Sequence, residues 1–434
     1  MTLIRFAAIL GLVGALSACA GEEILEGDRI DIRAPWGGGG EPANRTEPIS
    51  LPAQAANGAW SHRQGTNGER PRHPALAETP ELAWSTGIGQ GDGRRVRLST
   101  DPVAAGGRIF TLDSASQLQA TATDGSVLWS RDITPDWAER GSASGGGLAV
   151  SGDRLFVASA DALLAAYDTA TGEELWSYRF DSPLMGAPMA AGDRVYVSAG
   201  DSTLWSLDAA TGRITWSLTG TESASVMSRT AAPAQADNLV VFPTQSGELR
   251  AVQRGNGSEV WSTIVAGRRV GAAYATISSV TGDPVVDGNR IYAANQSGRL
   301  LAVDADSGET LWSAREAAYS PVWPVGGSVF LVSDQNRVIR LDAETGEQIW
   351  SQPLPLFTTD RARSQAEIYP QYGPVLAGGR LWVASGDGAL RGFDPVSGEI
   401  AAEIEVPGGA ASSPIVMDRT LYVLSREGTL HAYR

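Results

Sequence analysis

The sequence contains few of the residues from which catalytic and metal sites are usually built. It has one cysteine, Cys19, and three histidines, His62, His73 and His431. A single cysteine excludes an intramolecular disulfide, and the spacing of the histidines matches no common metal-binding motif. We find neither a glycine-rich phosphate loop nor a serine, histidine and aspartate set typical of hydrolases. The sequence therefore predicts no catalytic residues, no metal site and no cofactor.

Basic charge and long apolar runs are also scarce. The 34 Lys and Arg are outnumbered by 49 Asp and Glu, so the formal net charge is -15. This balance argues against nucleic acid as a partner, because phosphates require a basic surface. After the N-terminal leader, no apolar run is long enough to cross a membrane. We therefore expect a soluble body.

The first residues predict export and lipidation. Arg5 precedes an apolar run over residues 6–16, which is too short to span a bilayer and is typical of a signal peptide, here residues 1–18. The stretch Leu-Ser-Ala-Cys that ends at Cys19 resembles the lipobox of bacterial lipoproteins. We therefore predict that Cys19 carries a lipid anchor, and Ala20 after it favours sorting to the outer membrane.

Residues 19–58 are polar and are interrupted by four prolines and by the glycine run at 37–40. Such a composition is typical of a flexible linker. We interpret this segment as a lipidated tether, and the sequence GDRIDIRAPW within it as either linker or a docking strand for a partner.

The remaining 376 residues, 59–434, are organised around one repeated phrase, LWSLDAATGRITWS at residues 204–217. Similar phrases start at Leu118, Leu164, Leu249, Leu300, Val338 and Leu390. An alternating apolar run, an Asp, Thr and Gly cluster, and a second apolar run that ends in Trp predict a β-hairpin. Two further strand-like runs precede each hairpin, so each repeat contains four short strands.

The tryptophans give the number of repeats. They stand at positions 84, 129, 176, 216, 261, 312 and 350, with Ala402 at the eighth place. This period is typical of β-propeller blades. The chain ends before the last repeat is complete, and the missing strand is present around Trp84. We therefore predict an all-β, eight-bladed propeller of four-stranded antiparallel blades, closed by an N-terminal strand that completes the last blade.

The repeated tryptophans and aspartates have structural interpretations. We expect the tryptophans to pack between blades rather than to bind a ligand. The recurring aspartates are expected to form the hairpin turns rather than a carboxylate site, and they are Asp168, Asp208, Asp304, Asp342 and Asp394.

The repeat phrase resembles the PQQ-type repeat, which occurs both in quinoprotein dehydrogenases and in propellers that are not enzymes. The dehydrogenases often have a vicinal cysteine pair, which this body cannot form because it has no cysteine after Cys19. The lipobox, the tether, the eight repeats and the segments SVMSRTAAP (from Ser225) and SSVTGDPVVDGNRIYAANQSGRLLAVD (from Ser278) are similar instead to the BamB family.

This resemblance implies a non-catalytic scaffold of the outer-membrane β-barrel assembly machinery. It implies docking on the periplasmic POTRA repeats of the barrel-inserting subunit BamA, support for nascent outer-membrane proteins, and a lipid-anchored position on the periplasmic face of the outer membrane. By position, the partner-binding residues are Val226, Met227 and Arg229. Two acidic contacts of the family correspond to Ser279 and Thr281, which is a departure from its pattern.

Several alternatives stay open at this stage. Val226 and Met227 could pack under the next blade instead of binding a partner. The connection over residues 352–373, with Arg361, Arg363, Tyr369 and Tyr372, is a second candidate contact surface. The competing functions are a periplasmic quinoprotein dehydrogenase, which predicts a quinone and calcium, and a sensor propeller, which predicts a small molecule in a polar central channel.

Overall fold

The computed structural model describes residues 42–94, 96–143, 145–221, 230–265, 267, 277, 279–296 and 298–434. These ranges contain 33 strands and one short 3-10 turn, Ala362–Ser364. In this part of the chain no helix has both the length and the apolar character needed to cross a membrane. The prediction of an all-β fold is confirmed.

Thirty-two of the strands form eight blades of four antiparallel strands. In seven blades the strands follow sequence order from the inside of the ring to the outside, and in the eighth the outermost strand comes from the N-terminal part of the chain. The strands of blades 1 to 4 are β3 (Val103–Ala105), β4 (Arg108–Leu112), β5 (Gln117–Ala122), β6 (Val127–Asp132); β7 (Gly146–Ser151), β8 (Arg154–Ser159), β9 (Leu163–Asp168), β10 (Glu174–Arg179); β11 (Met189–Ala191), β12 (Arg194–Ser198), β13 (Leu204–Asp208), β14 (Ile214–Leu218); and β15 (Ala234–Ala236), β16 (Leu239–Pro243), β17 (Glu248–Gln253), β18 (Glu259–Ile264).

The strands of blades 5 to 8 are β19 (Val280–Asp287), β20 (Arg290–Asn295), β21 (Leu300–Asp304), β22 (Thr310–Ala314); β23 (Trp323–Val325), β24 (Ser328–Val332), β25 (Arg337–Asp342), β26 (Gln348–Pro353); β27 (Gln371–Ala377), β28 (Arg380–Ser385), β29 (Ala389–Phe393), β30 (Ile400–Glu405); and β31 (Ile415–Met417), β32 (Thr420–Ser425), β33 (Thr429–Tyr433), with β2 (Leu82–Gly87) outermost. The remaining strand, β1 (Ala59–Trp60), pairs with β3 on the inner side of blade 1.

The repeated phrase forms the outer hairpin of blades 1 to 7, as predicted. In blade 3 the Oδ1 of Asp208 accepts hydrogen bonds from the amide of Thr211 at 2.8 Å and from its hydroxyl at 2.7 Å. Gly212 adopts φ +71°, a left-handed conformation that favours glycine. The aspartates of the other copies accept the same backbone hydrogen bonds, which confirms that they form turns.

Each repeat tryptophan lies over the turn glycine of the next blade. Trp176 of blade 2 donates from Nε1 to the carbonyl of Ala209 at 3.0 Å, and a Cβ added to Gly212 would lie 2.6 Å from its ring. The same indole hydrogen bond recurs at the six other repeat tryptophans, Trp84, Trp129, Trp216, Trp261, Trp312 and Trp350. The tryptophans therefore join neighbouring blades, as predicted, and need a glycine turn in the following blade.

Ala402 is the exception to this pattern, and the closure of the ring explains it. Blade 8 follows blade 7, and its two outer strands, β33 and β2, come from opposite ends of the propeller. Instead of a glycine turn, they end with Glu81 and Arg434, whose backbones exchange hydrogen bonds of 2.8 and 2.9 Å. A tryptophan at position 402 would have no glycine turn to cover. The predicted closure by an N-terminal strand is confirmed.

The propeller unit starts earlier than the predicted boundary at residue 59, since it spans Ala43–Arg434. Asn44 exchanges hydrogen bonds of 3.1 and 2.9 Å with the backbone of Ser351 in β26, and the amide of Arg45 donates to Ile349. Arg340 donates to the carbonyl of Glu47 at 2.7 Å. These partners lie about 300 residues away along the chain, so local composition could not indicate them. The tether stays a prediction for residues 19–42.

Candidate functional site

The described parts of the connections between blades lie on one face of the ring. Because the strands of each blade alternate in direction, the link from its outermost strand to the next blade lies on the same side as its second turn. Backbone hydrogen bonds join the start of each such link to the second turn of the same blade. Examples are the bonds from the amides of Phe180, Val265 and Leu354 to the carbonyls of Ala162, Gly247 and Asn336, each at 2.8 Å. We call this side the connection face. Its described residues are 88–94, 96–102, 133–143, 145, 180–188, 219–221, 230–233, 265, 267, 277, 279, 315–322, 354–370 and 406–414, with the adjoining second turns.

The predicted partner-binding residues Val226, Met227 and Arg229 belong to the connection between blades 3 and 4, but they lie outside the described residues. Cys19 lies outside them as well. The described part of this connection resumes at Thr230, and the amide of Ala232 donates to Oδ1 of Asp283 in blade 5 at 2.8 Å. The chain therefore forms a hydrogen bond with the buried centre of the ring only a few residues after the predicted segment.

Ser279 and Thr281 take the places of the acidic family contacts and are buried. They are 1% and 5% exposed. The hydroxyl of Ser279 donates to the carbonyl of Gln245 at 3.3 Å, and that of Thr281 donates to the carbonyl of Ala318 at 2.8 Å. Both hydroxyl hydrogens are therefore bonded inside the ring, and neither side chain carries the negative charge of a carboxylate.

The second candidate surface is a hairpin-like connection between blades 6 and 7. Phe357 and Ile368 form an antiparallel bridge across it. Arg361 and Arg363 are exposed near its tip, whereas Tyr369 and Tyr372 are half-buried at its base. The two tyrosines line a cavity of about 260 Å³ on the connection face.

The centre of the ring is filled by the chain itself. A segment over residues 57–74, which we call the plug, forms hydrogen bonds with the inner parts of all eight blades. In order from blade 1 to blade 8, the contacts are β1 with β3, Ser61 with Val150, His62 with Ala190, Gln64 with Pro233, Gly68 with Val286, Arg70 with Val322, His73 with Gly379, and Asn57 with Val416. The plug was not predicted from the sequence, because it carries no repeat and no known motif.

Arg63 is the central residue of the plug. Its Nε lies 2.8 Å from Asp101, which precedes blade 1, and its Nη1 lies 2.6 Å from Asp283 in blade 5. Blades 1 and 5 face each other across a ring of eight, so this guanidinium spans the axis. Burial lowers the pKa of Arg63, but the charges and hydrogen bonds of Asp283 and Asp101 outweigh burial and leave the pKa above its ordinary value. The group therefore stays charged.

Two other plug residues, His62 and Arg70, show that this centre is shielded from solvent. Burial lowers the pKa of His62 to about 4, and its Nε2 accepts a hydrogen bond of 3.0 Å from the amide of Ala190, so the imidazole is neutral. Arg70 packs its guanidinium 4.7 Å from the ring centroid of Trp323 and 6.0 Å from that of Trp60. Burial lowers the pKa of Arg70 to about 9.

The space left beside Arg63 is a cavity of about 10 Å³. This is far below the 300 Å³ or more of ordinary ligand sites. A cavity of this volume cannot hold a quinone. Across the described ranges, no three His, Cys, Asp or Glu side chains come together as a possible metal cluster.

Comparison with known proteins agrees with the repeat architecture. Residues 114–352 match the family model described as outer membrane protein assembly factor BamB. That match covers more than half of the chain. The chain belongs to the BamB family.

Relatives and solved structures extend this result beyond the matched repeats. The BamB of Alteromonas naphthalenivorans is 31% identical over 373 residues, which cover 82% of this chain and 86% of the relative. The structure of BamB from Moraxella catarrhalis superposes with a TM-score of 0.68 at 18% identity, over 82% of this chain and all of that one. A europium-containing methanol dehydrogenase superposes with a TM-score of 0.64 at 14% identity, over 85% of this chain and 89% of that one. At such identities, the two superpositions show a shared fold alone.

Proposed function

We propose that this BamB-family chain is a non-catalytic scaffold in the assembly of outer-membrane proteins. It docks on the POTRA repeats of the barrel-inserting subunit BamA and supports the folding and insertion of nascent outer-membrane proteins. The lipid on Cys19 holds it on the periplasmic face of the outer membrane. The printed name of its relatives, outer membrane protein assembly factor, supports this role.

The closed centre of the ring is the observation that carries the non-catalytic part of the proposal. Arg63, Asp101 and Asp283 satisfy one another at the axis, and the plug reaches every blade. A small molecule would have to displace this buried ion pair before it could bind there, which costs several kcal/mol. Function is therefore assigned to the outer surfaces, and the connection face offers the longest irregular segments.

Within that face, we propose that Val226, Met227 and Arg229 are the contact residues for BamA. Aliphatic side chains that become buried give affinity, and a guanidinium gives orientation. The acidic half of the family contact is absent, because Ser279 and Thr281 are buried and bonded inside the ring. Val226, Met227 and Arg229 then supply the contact with BamA without the two acidic residues.

The test is co-purification from gently solubilised membranes, with the wild type compared to a Val226→Glu, Arg229→Glu variant. An Ala210→Glu, Arg213→Glu variant, which changes an exposed turn on the opposite face and leaves Thr211 in place, is the control. We expect BamA with the wild type and the control but not with the contact variant. Recovery with all three forms would contradict the site, and recovery with none would contradict the scaffold. Quinone absorbance in the purified protein would support a quinoprotein instead.

A further inference from the structure

A second feature of the connection face is not explained by the propeller repeat. Most of the exposed large apolar side chains occupy the outermost strands of the blades, where they recur next to the repeat tryptophan, as do Leu175, Val260 and Leu311. Four side chains break this pattern, since they lie in connections: Trp137, Tyr319, Phe357 and Ile368, which are 42%, 42%, 37% and 50% exposed. The last three belong to the neighbouring connections after blades 5 and 6. Exposed apolar side chains that cluster outside the repeat are typical of a binding surface.

Two of these side chains, Tyr319 and Ile368, line the cavity of about 260 Å³ between blades 5, 6 and 7. Tyr319, Ile368, Tyr369 and Tyr372 form its apolar walls, and Thr281 of blade 5 lies at its inner side. The volume is smaller than that of a typical cofactor site but is sufficient for one large side chain. It therefore suits a residue inserted by another protein.

The cavity is held open by hydrogen bonds within the ring. Asn336 donates from Nδ2 to the carbonyls of Pro355 and Tyr369, both at 2.9 Å, and Gln371 donates to Pro355 at 3.0 Å. The amide of Tyr369 also donates to Leu356 at 2.8 Å. A preformed cavity of this kind loses little conformational freedom when it is filled, so more of the contact energy appears as affinity.

The charge at the cavity selects the kind of partner residue. Asp334 is the one ionisable carboxylate among the described residues that line it. Burial first, and then the charge of Asp334, raise the pKa of the Tyr319 hydroxyl, so that carboxylate acts on the cavity. A carboxylate can accept hydrogen bonds from several donors at once, and it favours a cationic neighbour.

We propose that this cavity, which we call the tyrosine pocket, is a second docking site for BamA. A large apolar side chain of BamA enters it, and a Lys or Arg beside that side chain pairs with Asp334. This proposal rests on the proposed function. It places the second contact on blades 5 to 7, around the connection face from the segment at Val226, so two separate contacts fix the orientation of the ring.

The first test is photocrosslinking of the full-length lipoprotein in its own membranes. The photoreactive residue p-benzoylphenylalanine replaces Tyr319, Ile368 or, as a control, Ile400, which is exposed on the outer strand β30. We expect positions 319 and 368 to capture one segment of BamA that contains a large apolar residue next to Lys or Arg, and position 400 to capture none. The absence of a BamA product, or a captured segment without those residues, would overturn the pocket.

The second test compares the affinity of matched variants for BamA in detergent. Ile368→Ser and Ile400→Ser remove the same side chain from sites of similar exposure, 50% and 54%. We expect Ile368→Ser to weaken binding roughly tenfold and Ile400→Ser to leave it unchanged. Asp334→Asn should weaken binding and reduce its salt dependence.

The two proposals fail in different ways. If the wild type does not bind BamA, the proposed function itself is wrong. If the wild type binds but Ile368→Ser binds equally well, the function stands and the tyrosine pocket is wrong.

Discussion

Arg63 and Asp283 form a buried ion pair of 2.6 Å at the axis of the ring, between the plug and blade 5. The side chains are 5% and 0% exposed, and Asp101 shares the same guanidinium from the opposite blade. Two carboxylates at the centre of the molecule thus share a cation that the N-terminal segment supplies. The stability of the closed ring therefore depends on a residue far outside the repeats.

Arg63→Met is expected to destabilise the protein by about 3–5 kcal/mol, because it removes the cation that forms ion pairs with two buried carboxylates. The measurement is the shift of the urea unfolding midpoint, converted with the measured slope. Arg140→Met is the control, since its ion pair with Asp132 is about half exposed on both sides and should contribute about 1 kcal/mol or less. Equal shifts in the two variants would contradict a structural role for the plug.

The neutral state of His62 predicts a loss of stability in acid. Its pKa is about 4 in the folded protein against 6.5 as the ordinary value, because burial disfavours the charged form. Below pH 6.5 the unfolded chain binds a proton that the folded chain does not, so the stability is complete above pH 6.5 and falls as the pH drops towards 4. The loss from this residue approaches about 3 kcal/mol.

Unfolding midpoints at pH 7 and pH 5 provide the measurement. Between pH 7 and pH 5, we expect His62→Gln to lose less stability than the wild type loses. The reason is that a glutamine oxygen can accept the hydrogen bond from the amide of Ala190 without titrating. Some pH dependence should persist, since burial also lowers the pKa of His431. An unchanged pH dependence in His62→Gln would show that this imidazole does not control the effect.

The packing of tryptophan on glycine between blades can be tested within one turn. Gly257 has φ +74°, and a Cβ there would lie 2.7 Å from the ring of Trp216, whereas a Cβ on Gly255 would meet nothing within 4 Å. Gly257→Ala should therefore destabilise the protein by about 2 kcal/mol or more, through backbone strain and displacement of the indole. Gly255→Ala should change the stability by about 0.5 kcal/mol or less. Thermal unfolding of both variants measures this difference in stability. Similar melting temperatures would contradict the packing of tryptophan on glycine.

The repeated part of the fold could be predicted because its information is local. Asp208, Gly212 and Trp216 lie within one hairpin phrase, and each copy repeats the same turn and the same contact with the next blade. Ring closure was predictable for a related reason, since the last repeat lacks a strand that the segment at Trp84 supplies.

The plug and the tyrosine pocket could not be predicted, because their contacts join distant parts of the chain. Arg63 is 220 residues from Asp283, and Asn44 is 307 residues from Ser351. The tyrosines at 369 and 372 were recognised as a candidate surface, but their partners Tyr319 and Asp334 belong to other repeats. The repeat pattern describes one blade at a time, so it does not indicate contacts between residues of different blades or between the plug and a blade.

The proposed lipidation of Cys19 predicts that a substitution there changes the location of the protein. Cys19→Ser should remove the acceptor for the lipid, so the protein should move from the membrane fraction to the soluble periplasmic fraction. Cell fractionation followed by immunodetection measures this, with Ser17→Ala as a control because it leaves the cysteine in place. Full retention of Cys19→Ser in the membrane would contradict anchoring through this residue.

The central claim is that the protein promotes outer-membrane protein assembly through its surface rather than through chemistry. The most direct measurement is the folded fraction of newly made β-barrel proteins, followed by pulse-chase and heat-modifiable mobility in cells that lack the gene. We expect slower folding in these cells, restoration by the wild type, and no restoration by Val226→Glu, Arg229→Glu. Unchanged folding in cells without the gene would contradict the account.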